Sequence, residues 1–155
     1  MYKKSALMLF STVGALTLSL TSMPQGMAAI LNGSWRSYGN TNPITSSKSS
    51  WKCGSSLTVI TKVIAQVCIV VTADGKANQG AIIVRNNRSS PYKATATVNV
   101  YNGYSSSYIG SWYCQPSWVG AKSWSVCFGS TFTHVHPAES SGYINNLWLG
   151  FSGLL

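Results

Sequence analysis

Between Pro91 and Gly103 apolar and polar residues alternate strictly: Ala94, Ala96, Val98 and Val100 are separated by Lys93, Thr95, Thr97 and Asn99. A period of two sends successive side chains to opposite faces, so this stretch predicts a strand with one buried and one wet face. Pro91 before it and Asn102-Gly103 after it are turn residues. Upstream, Leu57 to Thr72 is β-branched and apolar on both faces, which predicts a central strand with a break near Lys62. Asp74-Gly75 is a hairpin signal, and Gly80 to Asn86 reads as the next strand, with Ile82 and Val84 on one side. Further strands are predicted over Tyr108 to Cys114, over Trp124 to Phe128 with an extension toward Thr133, and over Tyr143 to Phe151, where Tyr143, Leu147, Leu149 and Phe151 share a face. Gln115 to Ser123, with Pro116 and Gly120, reads as a loop. Residues 29–54, rich in Ser, Asn, Gly and Thr around Trp35, Tyr38 and Trp51, read as an irregular arm with room for one short strand. No segment has a helical period. The pattern predicts an all-β domain over residues 55–155, an antiparallel two-sheet sandwich of six to eight strands.

The first 28 residues change the picture of where this domain works. Lys3 and Lys4 precede an uncharged apolar run from Ala6 to Leu20, then Pro24 and the small-residue site Gly26-Met27-Ala28. That is the layout of a secretory signal peptide over 1–28, and it predicts a secreted, extracellular chain. The apolar run is too short for a membrane span, so the chain is not expected to cross a membrane. Without Lys3 and Lys4 the net charge falls from +9 to about +7, against the two carboxylates Asp74 and Glu139. So basic a chain attracts anionic polymers, which makes an anionic cell-wall polymer or an acidic glycan a reasonable partner. Nucleic acid is not expected outside the cell in the absence of a recognised motif. Four cysteines in a secreted chain predict two disulfides, and the local pairing, Cys53 with Cys68 and Cys114 with Cys127, closes two short turn-rich loops.

The runs Gly80-Ala-Ile-Ile-Val-Arg-Asn-Asn, Ala96-Thr-Val-Asn-Val-Tyr-Asn, Tyr108-Ile-Gly and Val119-Gly-Ala-Lys-Ser-Trp follow one another in the order of motifs found in small bacterial extracellular immunoglobulin-like domains of the FxLYD type, which they resemble. With its cysteines the chain also resembles small secreted actinobacterial β-sandwich proteins of unassigned function. The likeness covers roughly residues 66–130, with Val98 standing where the FxLYD pattern has an aromatic. It implies an immunoglobulin-like sandwich and carries over no catalytic residue.

Candidate chemistry is sparse. A glycosidase or aspartic protease needs two converging carboxylates, whereas Asp74 sits in an Asp-Gly turn and Glu139 in a Pro-Ala-Glu-Ser-Ser-Gly stretch read as a loop. No Gly-x-Ser-x-Gly elbow accompanies the many serines. His134 and His136, two apart, project to one side of a strand and are weak metal candidates, and no cofactor is expected. The six Trp and eight Tyr invite stacking on a ligand, although most are expected in the core. A Cys114–Cys127 bridge on an outer face would expose Tyr108 and Trp112, which share a face with Cys114. These two, with Arg85, Arg88 and Lys93, are the candidate ligand-binding residues. The leading expectation is a non-enzymatic binding or structural module acting at the cell envelope or on an extracellular anionic polymer. A secreted antagonist of the bacteriocin kind and a secreted hydrolase are the alternatives.

Overall fold

The computed structural model describes residues 29–133 and 137–155; the leader and the His134–His136 pair lie outside them. The described chain forms β1 (Leu31–Asn32), β2 (Ser34–Gly39), β3 (Ser50–Cys53), β4 (Leu57–Ile60), β5 (Val63–Val71), β6 (Ala77–Asn86), β7 (Tyr92–Asn102), β8 (Tyr108–Val119), β9 (Ser123–Phe128), β10 (Phe132–Thr133), β11 (Ala138–Ile144) and β12 (Leu147–Phe151). Two sheets stack as a sandwich. One has five strands in the order β1-β8-β7-β11-β12, and the other seven, ordered β2-β9-β6-β5-β3 with β10 beside β6 and β4 beside β5. The pairings are antiparallel except that of β1 with β8.

The alternation that predicts β7 is what builds the core. Ala94, Ala96, Val98 and Val100 are buried and face Val63, Ala65, Val67, Ile69, Ile82 and Val84 of the other sheet. Lys62, with φ 65°, makes the break between β4 and β5. Pro116 does not end β8, because the register against β7 shifts between Ala94 and Ala96; a bulge accommodates the missing amide, and the expected loop over 115–123 shrinks to residues 120–122. The expected last strand is a hairpin. Asn145 and Asn146 both take left-handed backbone angles, φ 44° and 66°, and turn the chain between β11 and β12. Glu139, expected in a loop, lies in β11. The arm over 29–54 supplies β1, β2 and β3 to the two sheets.

Both disulfides are the local ones, but they do different things. Cys53–Cys68 links directly opposed residues of β3 and β5. Cys114–Cys127 joins β8 of one sheet to β9 of the other and lies wholly inside the sandwich, with both cysteines at 0% exposure. This corrects the expectation for Trp112. Because the bridge lies inside, the face of β8 that carries Cys114 is the inner one, and Trp112 is 4% exposed. Its ring lies on Gly110 and Gly129, where any Cβ would come within 2.8 Å of it, stacks on Phe132 and donates from Nε1 to Ser130 Oγ at 3.0 Å. Trp112 is the central core aromatic and is closed to a ligand.

Candidate functional site

On the outer face of the five-stranded sheet, strand register lines up the outward side chains in rows. Tyr108, Tyr101 and Glu139 form the first row across β8, β7 and β11. Ser111, Asn99, Ser141 and, on β12, Phe151 form the second. Tyr113, Thr97, Tyr143 and Trp148 form the third. Tyr101 and Thr97, four residues apart on one strand, place the first and third rows about 13 Å from each other. Two aromatic rows therefore flank a short polar row, and Phe151 joins them along the β12 side.

The rings touch in sequence. Tyr108 meets Tyr101 edge-on at 5.9 Å between centroids, Tyr101 lies 6.4 Å from Phe151, Phe151 5.6 Å from Trp148, and Trp148 4.8 Å from Tyr143. Offset and edge contacts of this kind hold the rings in place at the cost of little mobility. Four of the five are exposed: Tyr108 by 43%, Tyr143 by 42%, Trp148 by 40% and Phe151 by 54%. Between the rows Ser111 and Ser141 are buried, Asn99 Nδ2 lies 3.4 Å from Ser141 Oγ, and Asn99 is the member of this polar row that keeps accessible surface. A shallow groove runs between Tyr113 and Tyr143 over Thr95 and Thr97 and ends at Asn145 and Asn146.

Local sequence explains how Trp148 and Phe151 come to face the same way. They are three residues apart, and a regular strand would put them on opposite faces. The register of β12 on β11 shifts between Ser141 and Tyr143, and Gly150, at φ +81°, absorbs the extra residue. Leu149 turns into the core, 3% exposed, while Trp148 and Phe151 turn out. The expected common face of Tyr143, Leu147, Leu149 and Phe151 is thus broken by the Asn-Asn turn and the bulge.

Farther along the same face Lys93 lies opposite Trp118, its Nζ 5.9 Å from the ring centroid, and Trp118 is 65% exposed. Of the sequence candidates, Tyr108 and Lys93 belong to this face. Arg85 does not. It points out of the other sheet, where its guanidinium lies over Trp124 at 5.2 Å and donates to Asn87 Oδ1 and the Lys122 carbonyl. Arg88 lies in the loop between β6 and β7, half-buried at one end of the sandwich. The structure therefore does not gather Arg85, Arg88 and Lys93 into one patch. Tyr101, Tyr113, Tyr143, Trp148 and Phe151 are the residues that sequence reasoning missed. Only Tyr101 carried a clear signal, as the next wet position after Asn99 in the alternation.

The carboxylates stand apart from each other. Asp74 is held below the usual carboxylate range by hydrogen bonds from the Thr72 hydroxyl and the Lys76 amide, in the β5–β6 turn where an Asp-Gly pair is expected. Glu139 lies beside Tyr101 on the other sheet. Among the described residues no group of three His, Cys, Asp or Glu side chains could hold a metal, and no helix is long and apolar enough to cross a membrane. No family model, curated protein or solved structure matches the chain.

Proposed function

We propose that the protein is a secreted, non-enzymatic binding module that holds an extracellular cell-envelope polymer on the outer face of its five-stranded sheet. The observation that carries this reading is the linked run of rings Tyr108, Tyr101, Phe151, Trp148 and Tyr143 around a polar floor. A sugar ring presents apolar C–H faces and a hydroxyl rim; the aromatics take the first, and Asn99 with the groove-lining Thr95, Thr97 and Asn145 the second. The two aromatic rows, about 13 Å apart along the strands, suit an extended chain better than a single small molecule. Lys93 beside Trp118 adds a cation at the end of the track, which favours a polymer with acidic groups. Two disulfides fit an oxidising compartment, in keeping with the leader. The FxLYD-type resemblance enters the proposal only as a lineage for the fold.

Retention on insoluble cell-wall material at low and high salt tests this reading, with a thermal melt to verify that each variant is folded. Wild type should keep a salt-resistant fraction, because apolar contact is not screened, and a salt-sensitive fraction that fades as the screening length shortens. Trp148→Ala should remove most of the first and Lys93→Gln part of the second. If folded wild-type protein passes through at low salt, the binding-module reading is wrong.

A further inference from the structure

One end of the sandwich carries cations that the aromatic face does not use. The β4–β5 turn and the β6–β7 loop close there on an open cleft lined by Ile60, Thr61, Lys62, Arg88, Ser89 and Ser90. The loop is firmly set. The Asn87 amide donates to the Lys62 carbonyl at 2.7 Å, tying the two walls together. Asn86, wholly buried, donates from Nδ2 to the carbonyls of Ser90, Val119 and Gly120 and accepts from the Arg88 amide at 3.0 Å. Lys122 Nζ donates to the Asn87 carbonyl at 2.7 Å, and Arg85 donates to Lys122 O and Asn87 Oδ1. Arg85 and Lys122 thus use donors on the loop itself while their charges remain.

Lys62 and Arg88 are different. Among the described residues neither head group donates a hydrogen bond to a carbonyl or carboxylate. Both carboxylates of the described chain are at the opposite end. Asp74 lies in the turn that closes the far end of β5 and β6, and Glu139 pairs with Tyr101 at the far end of β7. The cleft is therefore a pocket of unneutralised positive charge with a prearranged wall.

We propose that this cleft binds a phosphate-type oxyanion, held by the Arg88 guanidinium, the Lys62 ammonium and the hydroxyls of Ser89 and Ser90. The arginine fork and the ammonium stand on different walls, and a tetrahedral phosphate, whose oxygens do not share one plane, can turn one oxygen to each; a phosphodiester keeps two such non-bridging oxygens and the negative charge. At about 430 Å³ the cleft has room for the groups on either side of a phosphodiester. The site deepens the polymer reading by making the polymer a phosphodiester one, and rests on that reading only for the source of the phosphate.

Titration of ¹⁵N-labelled protein with inorganic phosphate at constant ionic strength tests the cleft itself. Saturable shifts confined to the amides around Lys62 and Arg88 to Ser90 are expected, weakened at least about tenfold in Arg88→Gln and in Lys62→Gln and unchanged in Trp148→Ala. Shifts that do not saturate, or that survive both cleft variants, would overturn the site as mere charge attraction. Retention on a glycerol-phosphate polymer and on a neutral glycan then identifies the source. Arg88→Gln should lower the first alone, and equal loss on both would overturn the phosphodiester assignment. Loss of retention in Trp148→Ala with phosphate shifts intact would report on the aromatic face and leave the cleft standing.

Discussion

The two sheets each turn one face away from the shared core, and the chain finishes those faces in opposite ways. On the seven-stranded sheet the outward side chains Cys68, Val70, Ala81, Ile83 and Val126 form a second core, closed over by Tyr38, Ile44, Trp51, Trp124 and Phe128. The segment between β2 and β3 adds Ile44 to rings that β2, β3 and β9 themselves supply. It is shaped by the Asn42 side chain, which accepts from the Ile44 amide at 2.9 Å, and Pro43 is buried beneath it. The cover is tight enough that Trp51 Nε1 is buried with no acceptor among the described residues. On the five-stranded sheet no segment among the described residues crosses the aromatics, and the rings contact one another and solvent. The same residue types serve stability on one face and remain available for contact on the other. The difference lies in what the rings stand on: on one face they close over buried aliphatic side chains, on the other they stand around a polar row and stay half exposed, and a contiguous exposed apolar patch marks an interaction site.

Substitutions on matched tryptophans test that distinction most strongly. Trp51→Ala should cost about 3 kcal/mol in urea unfolding, since it opens a cavity in the second core, while retention on cell-wall material per folded molecule stays unchanged. Trp148→Ala should cost under about 1 kcal/mol, as expected of a half-exposed ring whose loss is refilled by water. Equal costs would mean that the bare face is as structural as the covered one.

Binding should divide the other way. Trp148→Ala is expected to weaken salt-resistant retention about tenfold, worth about 1.4 kcal/mol, whereas Arg85→Gln on the covered face leaves it alone. A comparable drop for Arg85→Gln would move the site to the wrong sheet.

Next in size is the cover itself. Ile44→Ser should lose about 1 to 2 kcal/mol and raise binding of a hydrophobic dye, because it loosens the lid over Val70 and Ile83. Phe151→Ser, on the bare face, should lower dye binding. Dye signals that move together would erase the contrast.

The smallest effect concerns the edge of the shared core, where the Tyr92 hydroxyl meets Asn145. Burial pushes the Tyr92 phenol above its ordinary range, outweighing the hydrogen bond from Asn145 Nδ2 at 2.6 Å and the charge of Arg88, both of which act in the opposite direction. A phenol that holds its proton more tightly when folded gives its full stability below the unfolded value, near 10, and loses it as pH rises above that. Unfolding midpoints measured from about pH 9 upward should fall more steeply for wild type than for Tyr92→Phe. Identical slopes would show that Tyr92 is not the group responsible.

Much of the fold was legible in the chain because the signals were local. The alternation at 93–100 located β7 and its buried face, the Lys62 break and the Asp74-Gly75 turn fell where the chain bends, and short separations paired the cysteines correctly. The end of β8 and the last hairpin were misread because Pro116 and Asn145-Asn146 act through a bulge and a left-handed turn, whose outcome depends on the neighbouring strand.

By itself, then, the sequence determined the all-β character, the basic charge with scarce carboxylates and the two local disulfides, since each follows from residue type and spacing along the chain. Only the tertiary structure decided which faces are inside. Period two sorts side chains into two sets but does not say which set meets the other sheet, and the Cys114–Cys127 bridge turned out to cross the core rather than ride on its surface. That one choice buried Trp112 and left Tyr101 of β7 side by side with Tyr143, Trp148 and Phe151 of the last hairpin on the opposite face. Adjacency across strands is set by register, and register is fixed by packing.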